Sequence, residues 1–160
     1  MNSDLYLEKN ISQQPAIDLL TAMGYTYISP ADCDKQRGSR YHVLLRDILR
    51  GQLRRLNRYV YAGAENEFSA ANIERAMEDL DEPLTDGLVR TSEKIYDALL
   101  LGKSYPETVG DGKMLSFNLR YIDWDNPQNN VFHVTEEFAV DSRDRQHRNW
   151  KLFSRNFMQR

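Results

Sequence analysis

One cysteine in 160 residues, Cys33, excludes an internal disulfide, and without Cys-x-x-Cys spacing it excludes a thiolate zinc site. A reducing, cytoplasmic setting is the expectation. Also missing is any apolar run near the ~20 residues that cross a bilayer. The opening Met-Asn-Ser-Asp-Leu-Tyr-Leu-Glu lacks the basic and apolar stretches of a secretory signal. His42, His133 and His147 are scattered and form no His-x-x-x-His pair, so no zinc site is expected. No Gly-x-Ser-x-Gly elbow occurs, and Cys33 has no visible activating base.

What remains is a globular composition, 41% hydrophobic and 28% charged, of a length that suits one domain. A chain this long can bury a core without staples. The net charge of -3 rules out a uniformly basic nucleic-acid binder, but its distribution is uneven. Residues 141–160 carry six bases against two acids, a net +4, which leaves -7 on residues 1–140. A basic end can meet phosphate, or it can simply be solvated.

The spacing predicts a helix from Ser12 to Gly24, capped by Ser12 and carrying Ala16, Leu19, Leu20 and Met23 on one face. Ser29-Pro30 is a second cap. A long helix is expected over 41–57, with Leu45, Ile48, Leu49, Leu53 and Leu56 as its apolar stripe. A short strand over 58–61 leads to a turn at Gly63. Ser69 caps a further helix with Ile73, Ala76, Met77 and Leu80 inward, and another runs from about Thr91 to Leu101, stopped by Gly102. Beyond Gly112 the period becomes two. Leu115, Phe117, Leu119 and Tyr121 form one strand, and Phe132, Val134, Phe138 and Val140 a second with a bulge near Glu136-Glu137. The expected class is α+β, with about four helices followed by an antiparallel β-hairpin.

Gly102-Lys103-Ser104 is a poor phosphate loop. Asp97 occupies the place of the required earlier glycine, and a helix precedes where a strand should. Asp123-x-Asp125 begins like a calcium loop but continues into Pro127 and Gln128, so turn-shaping is its favoured role, with magnesium binding as the alternative. Arg46, Arg50, Arg54 and Arg58 are spaced by four and share a helix face. Such a row can take phosphate oxygens, although a solvated face beside Asp47 is the commoner outcome.

Longer stretches carry a family resemblance. Gln14 to Pro30, Val43-Leu-Leu-Arg-Asp-Ile-Leu49, Gln52-Leu-Arg-Arg-Leu-Asn57, Phe68-Ser-x-x-Asn-Ile73, Lys94 to Gly102 and Tyr121 to Val140 follow one another in a familiar order. Over roughly residues 10–146 the chain resembles the N-terminal region of the R subunit of type I restriction enzymes. The resemblance implies part of a restriction-endonuclease-like nuclease domain, in a subunit that pumps and cuts DNA with ATP and Mg2+. It also implies methylation and specificity subunits as partners, and DNA, weakly bound. The family pattern continues with Pro-Asp and then Glu-x-Lys on a strand, where acids hold the metal. Here no glutamate follows Glu137 and no aspartate follows Asp144.

The expectation is thus an R-subunit region over 1–146 and a divergent basic tail over 147–160. No catalytic or metal-binding residue is carried over, and no cofactor is expected in this chain. The isolated chain should lack nuclease activity. Candidate DNA contacts are Arg46, Arg50, Arg54, Arg58, Arg145 and Arg148. The alternatives are a stand-alone decoy that docks on restriction-modification subunits and a non-specific DNA-binding module. The bare edge of a hairpin over 115–140 would be covered by Trp150 to Phe157 or paired in a homodimer.

Overall fold

The computed structural model describes residues 9–81 and 83–141. Its helices are α1 (Gln14–Ala22), α2 (Pro30–Arg37), α3 (Arg46–Leu56), α4 (Ala70–Leu80) and α5 (Leu88–Leu101). Its strands are β1 (Thr26–Tyr27), β2 (Arg58–Tyr61), β3 (Ala64–Glu67), β4 (Lys103–Val109), β5 (Lys113–Leu119) and β6 (His133–Val134). The α+β class holds, with one helix more than the spacing suggested. No helix among the described residues is long and apolar enough to cross a membrane.

Local chemistry explains most boundaries. Ser29 Oγ accepts from Asp32 N at 3.1 Å, and Ser69 Oγ accepts from Asn72 N at 3.3 Å, so both expected caps satisfy first-turn donors of α2 and α4. β2 and β3 are joined through Ala62 (φ 50°) and Gly63 (φ 80°), the two left-handed residues of a tight hairpin turn. Two expectations fail here. Ser12 does not cap α1: a π-helical turn over Lys9–Gln13 runs into it, and its cap position, Gln13, makes no side-chain bond. The 41–57 helix starts only at Arg46. The preceding chain is held as a loop, with Arg37 Nη1 donating to His42 O at 3.3 Å and Asp141 N donating to Arg40 O at 2.9 Å.

The core joins α3, α4, α5 and the β4–β5 ribbon. It contains Leu53, Phe68, Ile73, Ala76, Met77, Ala98, Tyr105, Leu119 and Tyr121. Tyr59 stacks on Phe117 at 4.2 Å and meets Phe68 edge-on at 5.4 Å, tying the β2–β3 hairpin to it. The α4 positions read from spacing are those that pack. The α1 stripe is not: no residue of that helix is buried, and Leu19 and Met23 lie open.

The main difference is in strand pairing. β5 pairs antiparallel with β4, from Lys103↔Leu119 to Val109↔Lys113. It does not pair with residues 132–140. Only His133–Val134 of that segment is strand, and it lies parallel to Thr26–Tyr27. Glu137, at φ 49°, turns the chain where a bulge was expected. Phe138 then leaves strand geometry and sits 4.3 Å beneath the buried Arg37 guanidinium.

Candidate nucleic-acid interface

The arginine row splits into two halves. Arg46 Nη2 and Arg50 Nη2 each reach Glu74 Oε2 at 3.3 Å, Arg50 Nε donates to Glu74 Oε1, and Arg50 Nη1 holds Asp47 at 2.7 Å. Glu74 belongs to α4, so these arginines fasten α3 to α4. The hydrogen bond from Arg50 is the main cause that holds the Glu74 carboxyl below its usual range, and the same bond raises Arg50. This half of the row is already engaged with acids.

The other half reaches a cleft. Arg54 is exposed on the last turn of α3, and Arg58 opens β2 just past it. Between them Asn57 is buried and acts as a clamp. Its Nδ2 donates to Leu53 O and to Arg120 O, both at 2.8 Å, and its Oδ1 accepts from Arg120 N at 2.7 Å. The clamp fixes the residue after β5 against the end of α3. Arg58 and Arg120 consequently share a cleft of about 360 Å³, lined also by Leu56, Asn118 and Asp123.

The counter-ions of this cleft are loosely held. Arg58 pairs with Glu67, whose side chain is 72% exposed, and Arg120 with Asp125, 77% exposed, at 3.1 Å. The Arg58 hydrogen bond lowers the Glu67 pKa, and Arg54 adds to the effect through space. Exposed pairs of this kind are screened by solvent and hold their partners weakly. One turn away, Arg55 donates to Asn129 O and to Gln52 Oε1. Asn57 and Arg120 were not among the residues singled out from the sequence. The only sequence signal for the clamp is an asparagine at the end of the expected 41–57 helix, which the structure makes its C-cap. Arg145 and Arg148 lie outside the described residues, as does the tail over 147–160.

Asp123 has the turn-shaping role. Its oxygens accept from Asn126 N at 3.0 Å and Asn129 Nδ2 at 2.8 Å, and Asn130 closes the loop on Asp123 N and O. The Asn129 bond is the leading cause of its lowered pKa. Asp125 turns to Arg120 at 3.1 Å. Among the described residues, no three His, Cys, Asp or Glu side chains gather as a metal group. Gly102 ends α5 and Lys103 opens β4, so the order is helix then strand, the reverse of a phosphate loop. Lys103 Nζ pairs with Asp79 at 2.9 Å instead.

Two buried polar groups are structural. Glu107 accepts from Ser69 N at 2.8 Å, Ser69 Oγ at 3.0 Å and Asn72 Nδ2 at 2.8 Å, which ties β4 to the start of α4. Tyr105 donates to Asp79 and meets the Tyr121 hydroxyl at 3.0 Å, and Tyr121 donates to Ala76 O at 2.8 Å. Cys33 is buried, and burial lowers the His133 pKa.

A family model described as the type I restriction enzyme R protein N terminus matches residues 5–149, most of the chain. No curated protein and no solved structure matches it.

Proposed function

The chain belongs to the family of type I restriction enzyme R protein N termini, and from that premise we propose that it is the DNA-contacting part of such an R subunit, touching the phosphate backbone without cutting it. The observation that supports this reading is the Asn57 clamp, which sets Arg58 and Arg120 across one cleft with Arg54 beside it. Guanidinium groups match phosphate oxygens in planar, two-pronged fashion. Contacts of this kind position a protein on DNA and carry no sequence information, which suits an assembly whose target is read by another subunit.

Contact without cutting follows from the acids. The family's metal grip is implied to begin with an Asp just beyond residue 146, and residues 147–160 carry neither aspartate nor glutamate. Asn149 stands near the place that the resemblance implies for this acid, and a neutral amide is a poorer magnesium ligand than a carboxylate. Cleavage is assigned to no residue of this chain.

Fluorescence anisotropy with a labelled duplex tests the reading. Affinity should fall steeply with salt, by about 0.9 in log–log slope for each phosphate neutralised. Arg58→Ala and Arg120→Ala should each weaken binding and flatten that slope. A flat salt response in the unaltered chain defeats the DNA reading. Nicking of supercoiled plasmid that disappears with chelator defeats the statement that the chain does not cut.

One observation favours a second reading, docking on the methylation and specificity subunits. Helix α1 leaves Leu19 and Met23 open, with Ile11 exposed just before it, and apolar side chains gathered in a patch mark contact surfaces. A pull-down with those subunits in which Leu19→Glu changes nothing removes that reading.

A further inference from the structure

Helix α5 faces the core on one side only. Thr91 and Ala98 are buried there. On the opposite side Val89 is 70% exposed, Tyr96 64% and Leu100 46%. Spacings of seven and four put these three in one stripe, since the helix repeats every ~3.6 residues. Leu88 and Leu101 extend exposed apolar surface to both ends. Single exposed apolar side chains are ordinary, but several gathered on one helix face mark a contact.

The charges along the stripe select its occupant. Glu93 lies on it, between Val89 and Tyr96, and Arg90 and Asp97 lie along one flank. Among the described residues none of these three has an ion-pair partner. Two copies of α5 can pack antiparallel about a twofold axis through the middle of the stripe. Val89 then opposes the partner's Leu100, and Tyr96 opposes the partner's Glu93, whose carboxylate can accept a hydrogen bond from the phenol. A twofold axis normal to the plane of the pair brings like flanks together. Arg90 therefore meets the partner's Asp97, and Asp97 meets the partner's Arg90. A parallel pair would set this flank against the opposite one, Leu88 and Ser92, and leave both charges without partners.

We propose that the exposed face of α5 is a self-complementary docking surface that pairs two copies of this chain antiparallel, with Val89, Tyr96 and Leu100 as its apolar stripe and Arg90 and Asp97 as its matching charges. Such an interface is isologous and closed. A helix of this length spans only about 21 Å, less surface than the ~800 Å² per partner of a standard interface. Association is accordingly reversible and follows concentration.

Sedimentation of the full chain from about 1 to 200 µM is the test, a span chosen to bracket micromolar affinity. The unaltered chain should pass from monomer to dimer across it. Val89→Arg, at an open position, should stay monomeric throughout. Arg90→Asp alone and Asp97→Arg alone should each weaken pairing, because each sets like charges opposite one another. The double exchange Arg90→Asp with Asp97→Arg should restore it. Circular dichroism confirms that the variants fold. A monomer at every concentration overturns the proposal and leaves the face to a different protein. A dimer that survives Val89→Arg assigns the contact to another surface, such as a strand edge. A double exchange that fails to restore pairing overturns the antiparallel arrangement.

Discussion

Replacing Asn57 by alanine would test the joint on which the cleft depends. The side chain is buried and makes three hydrogen bonds, to Leu53 O, Arg120 O and Arg120 N. Leu53 O keeps the backbone bond from Asn57 N at 3.2 Å, so its loss is small. Arg120 N and O lose their partners, at about 1–3 kcal/mol each when buried. Water entering the adjoining cleft keeps the cost near the lower end, and about 3 kcal/mol in total is expected. Urea unfolding followed by circular dichroism measures it, with a lower midpoint at unchanged slope. Asn57→Asp separates hydrogen bonding from packing. The carboxylate can still accept from Arg120 N, but its second oxygen faces two carbonyl oxygens. That environment raises the folded-state pKa above the ordinary ~3.9. A raised pKa stabilises below the unfolded value and is lost as pH rises through the folded value. The gap between Asn57→Asp and the unaltered chain should therefore widen from pH 5 to pH 7.5. An Asn57→Ala loss below about 1 kcal/mol, or an Asn57→Asp gap that ignores pH, would refute the clamp.

Gly102→Ala should cost about 3 kcal/mol or more in the same assay. Its φ of 77° and ψ of -175° suit glycine almost alone, and an added Cβ would lie 2.5 Å from Leu119 O, a backbone atom fixed by the β4–β5 ribbon. Gly51→Ala is the contrast, because α3 leaves open space there and alanine should stabilise by about 0.5–1 kcal/mol. Tyr105→Phe should cost about 1.5–3 kcal/mol, the range for a hydrogen bond to a charged group. Burial works to raise the Asp79 carboxyl, and the bonds from Tyr105 and Lys103 outweigh it. With Tyr105 gone the acid limb of a stability–pH curve should move to higher pH. Glu74→Gln should cost under about 1 kcal/mol, as its partly exposed ion pairs imply. The lowered pKa of Glu74 means that its pairs stabilise above the ordinary glutamate range and fade as pH falls through the folded value. The stability gap of this variant should accordingly close on acidification. By freeing Arg46 and Arg50, the same change should also steepen the salt dependence of DNA binding.

Elements whose signals lie within a few residues were readable from the chain. Ser29 and Ser69 cap because a hydroxyl three residues before a free N–H needs no distant partner, and Ile73, Ala76 and Met77 pack because their spacing sets a face. Strand pairing was not readable in this way. Period two identified Leu115 to Leu119 as a strand but said nothing of its neighbour. β4 carries no clear period-two signal, because Pro106 and the buried Glu107 interrupt its apolar alternation. The arginine row shows the same limit. Spacing by four puts Arg46 and Arg50 on one face of α3, but only the packing of α4 reveals that Glu74 occupies them. The stripe on α1 predicted a buried face, yet periodicity cannot tell burial within a chain from burial against another.

The cleft exists because of the core beneath it. Leu53, one turn before the end of α3, and Leu119, the last residue of β5, are both fully buried in the same cluster. Packing them together brings the end of a helix against the end of a strand, where backbone groups of each run out of regular partners. Asn57 satisfies those groups on both sides. The residues that follow, Arg58 and Arg120, inherit their positions from this junction. The Arg120 backbone is held by Asn57 and the Arg58 backbone by its place opposite Glu67 in the β2–β3 hairpin, while their side chains pair with exposed carboxylates. A rigid base with exchangeable counter-ions is the arrangement that lets a phosphate replace a carboxylate at small cost. Arg46 and Arg50 bridge two helices and do not share it. If DNA affinity depended on Arg46 and Arg50 rather than on Arg58 and Arg120, this distinction would be wrong, and the cleft would be a by-product of packing.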